Sequence, residues 1–412
     1  MRRPDEPHDA EAHMSREGRR ALLILGFGHF VNDLHTSTLY PLLPLIARKL
    51  HLSEAEVFWL APLLNFTSSL MQPVYGFLAD RYSRRAFAIA GPAIAGSFLS
   101  LIGTATSYGM LLLFLILGGI GNGAFHPQGA ALAARTHEHR RRLALSTFSS
   151  SGTLGFALGP LIITAIVAAT DLTRTYLLMP LGWLAALLLY RYAPRDDWRE
   201  QSSNRSRALA ELAGTLRRVW RPMLSLYVIT VSRSAMYVMT NSYMPFILTQ
   251  RGYGLRETGG LLTAYLLAGA CGSFLGGAFA ERFGGRWLTF GTGVLIPLLF
   301  AMAALGRGPL SVAALIAGGF TLMSVFPVNV ATAQELAPRE TSTVSALMMG
   351  FAWGVGSMAP ALGEPLTRTF GFEGVLAAMA TFPFATSLLA LWIPEDRALA
   401  LSSRATSPHP AR

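Results

Sequence analysis

Charge is scarce in this chain. Of its 412 residues, 14% are Asp, Glu, Lys or Arg, against roughly 25% in an ordinary soluble domain. Cysteine is scarcer still. Cys271 stands alone, which excludes disulfides within the chain and any cysteine-cluster metal site. No cleavable signal is evident: residues 1–20 are polar, and no small-residue cleavage site follows the first apolar block. No catalytic triad or metal-ligand cluster shows within the apolar segments, and His137 and His139, in an arginine-rich loop, read as a solvated face. The longest internal polar interruption, 193–221, is too short for a soluble catalytic or sensory domain. These absences argue against an enzyme or a sensor, and call for no cofactor and no metal.

What the chain has is apolar length. It is 52% hydrophobic, in blocks of about 18–26 residues that can each cross a hydrocarbon core of ~30 Å. The blocks run roughly 21–47, 57–78, 86–106, 109–133, 143–169, 174–192, 222–249, 257–280, 287–305, 309–333, 342–366 and 372–393. The expected fold is all-α: twelve transmembrane helices in two six-helix halves, 21–192 and 222–393. A tail (1–20), a linker (193–221) and a second tail (394–412) complete the chain. The 40 glycines and 23 prolines suit membrane helices.

Orientation follows from where the basic residues fall. With the N-terminus inside, the inner segments carry 26 of the 34 Lys and Arg, and the outer loops carry Arg48, Lys49, Arg174, Arg251, Arg256, Arg307 and Arg368. Both termini and the linker are therefore expected in the cytosol. The net charge of +11 is a topology signal, and no nucleic-acid partner is expected.

A motif repeats at half the chain length. Gly76-Phe77-Leu78-Ala79-Asp80-Arg81-Tyr82-Ser83-Arg84-Arg85 is echoed by Gly277-Ala278-Phe279-Ala280-Glu281-Arg282-Phe283-Gly284-Gly285-Arg286, 201 positions later. The same offset, within a residue, aligns Gly118-Gly119 with Gly318-Gly319, Phe125 with Phe326, Gly155 with Gly356 and Pro160 with Pro360. Two parallel repeats of six helices are the major facilitator architecture. The motif loops are expected to form a cytosolic gate. Gly76 and Gly277 would permit close packing, while Asp80, Arg81, Arg84, Arg85, Glu281, Arg282, Arg286 and Glu335 would supply the charge pairs. Gly152, Gly155, Gly159 and Pro160 make a glycine face in the fifth span that resembles the antiporter signature of drug exporters; small-residue helix packing explains it equally.

Few charges lie deep. Asp33 falls near the middle of the first span, and helical spacing puts His29, Asp33, Thr36 and Tyr40 on one face, with Asn32 on its flank. Burial penalises the ionised carboxylate unless a cation opposes it, which suits a proton-coupling group; a structural hydrogen-bond network is the alternative. His35 projects away from Asp33 and need not belong. Arg233 lies at a like depth in the seventh span, on a face with Tyr237 and Asn241. A guanidinium needs an anion, here Asp33, a bound solute, or each in turn. His126 precedes Pro127 and can relay a proton or bond carbonyls freed by the proline.

The run Gly28-His29-Phe30-Val31-Asn32-Asp33 with Tyr40-Pro41-Leu42-Leu43, then Phe125-His126-Pro127 and Ala333-Gln334-Glu335-Leu336, resembles the fosmidomycin resistance protein family, a branch of the major facilitator superfamily. The resemblance covers about residues 20–395. It implies a proton-driven inner-membrane exporter of a small phosphonate antibiotic, with weight on His29, Asn32, Asp33 and His126. Gln128 stands where the family often has an acid, and Arg233 where it has a lysine. The expected function is therefore a proton-antiporting exporter of a small, anionic compound, with Asp33 and His126 handling protons. His29, Asn32, Arg233, Tyr237 and Asn241 would handle solute. Uptake of an organic anion or sugar-like solute by symport or facilitated diffusion is the alternative. The expected partners are a small molecule, protons and lipid, with the chain acting as a monomer in the bacterial plasma membrane.

Overall fold

The computed structural model describes residues 15–137, 141–195, 217, 219–338 and 344–393, and every regular element among them is helical. Eight stretches are long and apolar enough to cross a membrane, and the last, Leu347–Trp392, has 46 residues. It is two crossings, bent where Gly371 takes a φ of 67°. The three remaining crossings are broken or polar. The first is Arg16–Ser37 continued by Leu39–Leu50, interrupted where Pro41 and Pro44 withhold amide hydrogens. The second is Glu54–Asn65 and Gln72–Arg81 joined through a π-helical turn, Phe66–Leu70. The seventh, Trp220–Gln250, carries Arg233 and many hydroxyls. The twelve-helix, two-half architecture expected from the sequence is the one observed.

The repeat is visible as repeated contacts. Lys49, the sole lysine, ends the first span and donates to the Gly103 carbonyl of the third at 2.7 Å. Its counterpart Arg251 ends the seventh span and donates to the Ala303 carbonyl of the ninth at 3.1 Å. Arg251 also bonds the Ala304 carbonyl and pairs with Glu373 at 2.9 Å. A cation at the carbonyl end of a helix satisfies orphan acceptors and opposes the dipole.

The two halves meet firmly on the face away from the termini. Thr367 of the eleventh span donates to Glu54 of the second at 2.7 Å. The Phe58 ring packs on Tyr243, Phe246 and Phe372 at 4.7, 5.6 and 5.7 Å between centroids. Midway, the Thr263 hydroxyl of the eighth span accepts from the Leu161 amide of the fifth at 3.2 Å.

The glycines of the repeated motif do not serve as expected. A methyl group at Gly76 or Gly277 would meet nothing within 4 Å, so close helix approach is not their use in this conformation. The crowded glycines lie in the next tier. A side chain at Gly155 would run into the Phe30 backbone of the first span, and one at Gly356 into Ser234 and Ala235 of the seventh. These repeat-related positions let the fifth and eleventh spans lie against the first and seventh.

Exchanging Lys49 and Arg251 for methionine tests this account. Arg251→Met strands the Ala304 carbonyl and leaves Glu373 with Arg307 alone, and should cost about 2 kcal/mol, against about 1 kcal/mol for Lys49→Met. Unfolding of the two purified variants in detergent should rank them in that order.

Candidate functional site

The continuous helix Arg16–Ser37 sets His29 and Asp33 one helical turn apart, and the fourth span, Tyr108–Arg135, brings His126 to the same point. Asp33 Oδ2 lies 3.2 Å from His29 Nε2, and Oδ1 lies 3.2 Å from His126 Nε2. The carboxylate is thus held between two imidazoles, with side-chain exposure of 16% for Asp33 and 25% for His126.

The fifth span, Arg141–Ala169, builds the His29 pocket. The Phe148 ring stacks on the imidazole at 4.1 Å, and the space a side chain at Gly152 would need is filled by that imidazole. The Phe148 carbonyl faces His29 Nδ1 at 2.7 Å. A carbonyl only accepts, so Nδ1 carries hydrogen. In neutral His29 the Nε2 would then present a lone pair to Asp33. Two acceptors 3.2 Å apart need a positive body between them, and the cluster therefore has a seat for one proton.

His126 is fixed the other way. Its Nε2 faces Asp33 Oδ1 and also Asn122 Oδ1 at 3.1 Å. Both are acceptors, so this nitrogen donates. The Asn122 amide is turned by giving its own hydrogens to Thr36 and the Asn32 carbonyl. The three ligand-type atoms of His29, Asp33 and His126 lie within 4.8 Å of one another, a grouping that could hold a metal ion and that the sequence reading did not foresee. Metal ligation by His126 would remove the hydrogen that satisfies Asn122, so the donor set fits a proton better.

Arg233 is not in this cluster. It is 5% exposed, and its guanidinium donates to the Leu322 carbonyl at 3.2 Å, the Thr289 carbonyl at 3.1 Å and the Thr292 hydroxyl at 2.8 Å, with a longer bond to Thr321. Thr321 and Leu322 precede the break between Gly308–Met323 and Phe326–Leu336, where Pro327 ends regular bonding. Among the described residues Arg233 has no carboxylate partner, so the expected pairing with Asp33 is absent from this conformation. Its repeat counterpart is Asn32, whose amide donates to the Asn122 carbonyl of the fourth span at 3.4 Å. Both residues tie the leading helix of a half to its fourth.

The remaining candidates are dispersed. His35 bonds the Val31 and Leu178 carbonyls, away from Asp33. Asn241 donates to the Tyr237 carbonyl within its own helix. Gly159, like Gly152 and Gly155, seats the first span, and Pro160 follows on that helix. At the termini face, Arg85 donates to the Ala193 carbonyl at 3.3 Å and to that of Tyr190, capping the sixth span. Arg81, Glu281, Arg282 and Glu335 are exposed there, Arg84 and Arg286 half-buried, and the Asp80 side chain lies outside the described residues, as does His139.

Rings line the level just beyond Asp33. Tyr237 contacts Phe156, Tyr265 and Trp353 at 6.3, 6.0 and 5.2 Å, Trp353 contacts Phe326 at 5.4 Å, and Phe156 contacts Tyr40 at 6.2 Å. From sequence, Tyr237 was expected to handle solute, Tyr40 was placed on the Asp33 face and Phe326 was noted as a repeat position; Phe156, Tyr265 and Trp353 were not singled out, because an isolated aromatic in an apolar block carries no signal of its own.

Comparison with known proteins gives a consistent result. The family model described as Major Facilitator Superfamily matches residues 25–361 and 226–410. The uncharacterized MFS-type transporter YfnC of Bacillus subtilis is 30% identical over 92% of this chain and 93% of its own. The Fosmidomycin resistance protein of Escherichia coli is 28% identical over 96% of this chain and 99% of its own. Among solved structures, a point mutant of the nucleoside transporter NupG superposes with a TM-score of 0.77 at 14% identity, covering 90% of this chain and 99% of that one. The D-xylose-proton symporter superposes at 0.73 and 14%, covering 92% and 98%; at such identities the likeness is one of fold.

Arg233→Lys tests the clamp on the tenth-span break. An ammonium lacks the planar fork that serves both helices, and the Leu322 carbonyl left without its donor should cost about 1–2 kcal/mol of stability, read as a lowered melting temperature in detergent.

Proposed function

We propose, from the premise that this chain belongs to the Major Facilitator Superfamily, that it is a proton-coupled exporter of a small compound, an antiporter working by alternating access in the bacterial inner membrane. The observation that carries this reading is the Asp33 carboxylate held between His29 and His126 with a seat for one proton. Filling the seat takes the cluster from a net negative charge to neutrality. Inside a membrane that change is large, because unpaired charge there is costly. A proton crossing a potential of 100 mV supplies about 2.3 kcal/mol to drive the cycle.

Exchange requires that proton and solute not occupy the cluster together. A solute that donates a hydrogen bond to Asp33 takes the proton's place, and release of the solute outside lets a proton return. The arginine bias places the termini in the cytosol, which makes the firmly joined face the outer one. The glycine face at Gly152 and Gly155 serves this cycle by seating His29 and the first span. The relative named for fosmidomycin resistance supports export and makes fosmidomycin the first compound to try. The anion-binding role expected of Arg233 is not carried into this reading, because its guanidinium ends are already taken by backbone and threonine oxygens.

Proteoliposomes loaded with labelled fosmidomycin provide the test. An acidic exterior should drive efflux in the unmodified protein. Asp33→Asn should reduce that pH-driven flux at least about tenfold while solute-for-solute exchange persists. Gly152→Val, which evicts His29 without touching a titrating atom, should resemble it. Undiminished pH-driven efflux in Asp33→Asn rules out the coupling role, and accumulation of the label inside intact cells rules in uptake.

A further inference from the structure

We infer that the rings of Tyr40, Phe156, Tyr237, Tyr265, Phe326 and Trp353 form the solute seat, and that it takes a planar aromatic compound bearing a hydrogen-bond acceptor. This rests on the transport reading above and adds the substrate class to it.

The rings come from six different spans: the first, fifth, seventh, eighth, tenth and eleventh. They join across the boundary between the halves, where Phe156 meets Tyr237 at 6.3 Å with planes 32° apart. A contact that spans the halves must be remade whenever they rock. Ring-on-ring contact is replaceable, since a flat solute that enters between two rings restores to each the surface and quadrupole it gave up.

The seat also holds a donor without an acceptor. Trp353 Nε1 is buried and has no hydrogen-bond partner among the described residues, and an indole nitrogen can only donate. A buried donor left unpaired is costly, and an acceptor on the solute would relieve it. Tyr40 follows Asp33 by seven residues on the first span, so the seat and the proton cluster share that helix. The deep guanidinium, Arg233, is committed to the ninth and tenth spans.

Equilibrium binding to the purified protein in nanodiscs tests this without a proton gradient. Benzohydroxamate and acetohydroxamate share a donor, an acceptor and a charge, and differ only in the ring. The unmodified protein should bind the benzo compound at least tenfold more tightly. Tyr237→Ala should erase the preference. Trp353→Phe keeps a ring and removes the donor, so it should weaken both compounds several-fold and leave the preference standing. Retained binding in Tyr237→Phe checks that the site survives substitution. Equal affinity for the two compounds, failure to bind either, or a preference untouched by Tyr237→Ala would overturn the inference. Failure here leaves pH-driven efflux of fosmidomycin intact, while loss of that efflux with the ring preference retained would count against coupling alone.

Discussion

A membrane interior offers no water, so each polar group within it must find its partner in the protein. Asp33 obeys that constraint in an unusual way. Its carboxylate is satisfied by imidazoles, and one of them is locked so that its lone pair, not its hydrogen, faces the acid. The cluster is complete only when a mobile proton is present. An arginine partner would have satisfied the carboxylate permanently and left nothing to exchange. On the proposed reading, the choice of histidine over arginine is what makes the pair capable of work.

Arg233 obeys the same constraint differently. A guanidinium cannot shed its proton in practice, so it is surrounded by fixed acceptors, and these are supplied by a broken helix. The break between Met323 and Phe326 leaves the Leu322 carbonyl without a helical donor, and the arginine supplies one. Asn32 does the corresponding task in the first half with a neutral amide against the Asn122 carbonyl. The two halves thus share the contact and differ in charge. That asymmetry leaves the acid in one half and a carbonyl-bound cation in the other.

Much of this was legible in the sequence. Apolar length and the repeated motif gave twelve crossings in two halves, and Asp33 and His126 stood out because acids and histidines are rare in such segments. The Asp33–Arg233 pairing, one of the alternatives the sequence left open, is absent from this conformation for a definite reason. Depth can be counted along a helix, but rotation about its axis depends on neighbours. The signal against that pairing was present: the offset of 201 aligns Arg233 with Asn32, not with Asp33. The Phe148 carbonyl could not be anticipated, since every residue has one and only packing selects which is used. Gly152 was noted as small, yet only the structure tells what occupies the room it leaves. Likewise Gly76 and Gly277 read as close-packing glycines and turned out to face open space, because a glycine's use depends on what lies opposite.

In the proposed cycle the fifth span ties proton and solute together. Phe148, Gly152 and Phe156 follow at intervals of four along one helical face. The first receives the His29 hydrogen, the second gives the imidazole its room, and the third reaches the seventh span through Tyr237. Opposite them on the first span stand His29, Asp33 and Tyr40, whose ring meets Phe156. A small slide of the fifth span against the first therefore acts on the proton seat and on the ring contacts together. Close packing at Gly155, where the Phe30 backbone leaves no slack, makes the two helices move as discrete steps rather than by gradual yielding. Loss of the proton removes the attraction between His29 and Asp33, and the helix that senses this first is the one that carries the inter-half ring. Coupling then needs no relay across the molecule, since both events share one pair of helices.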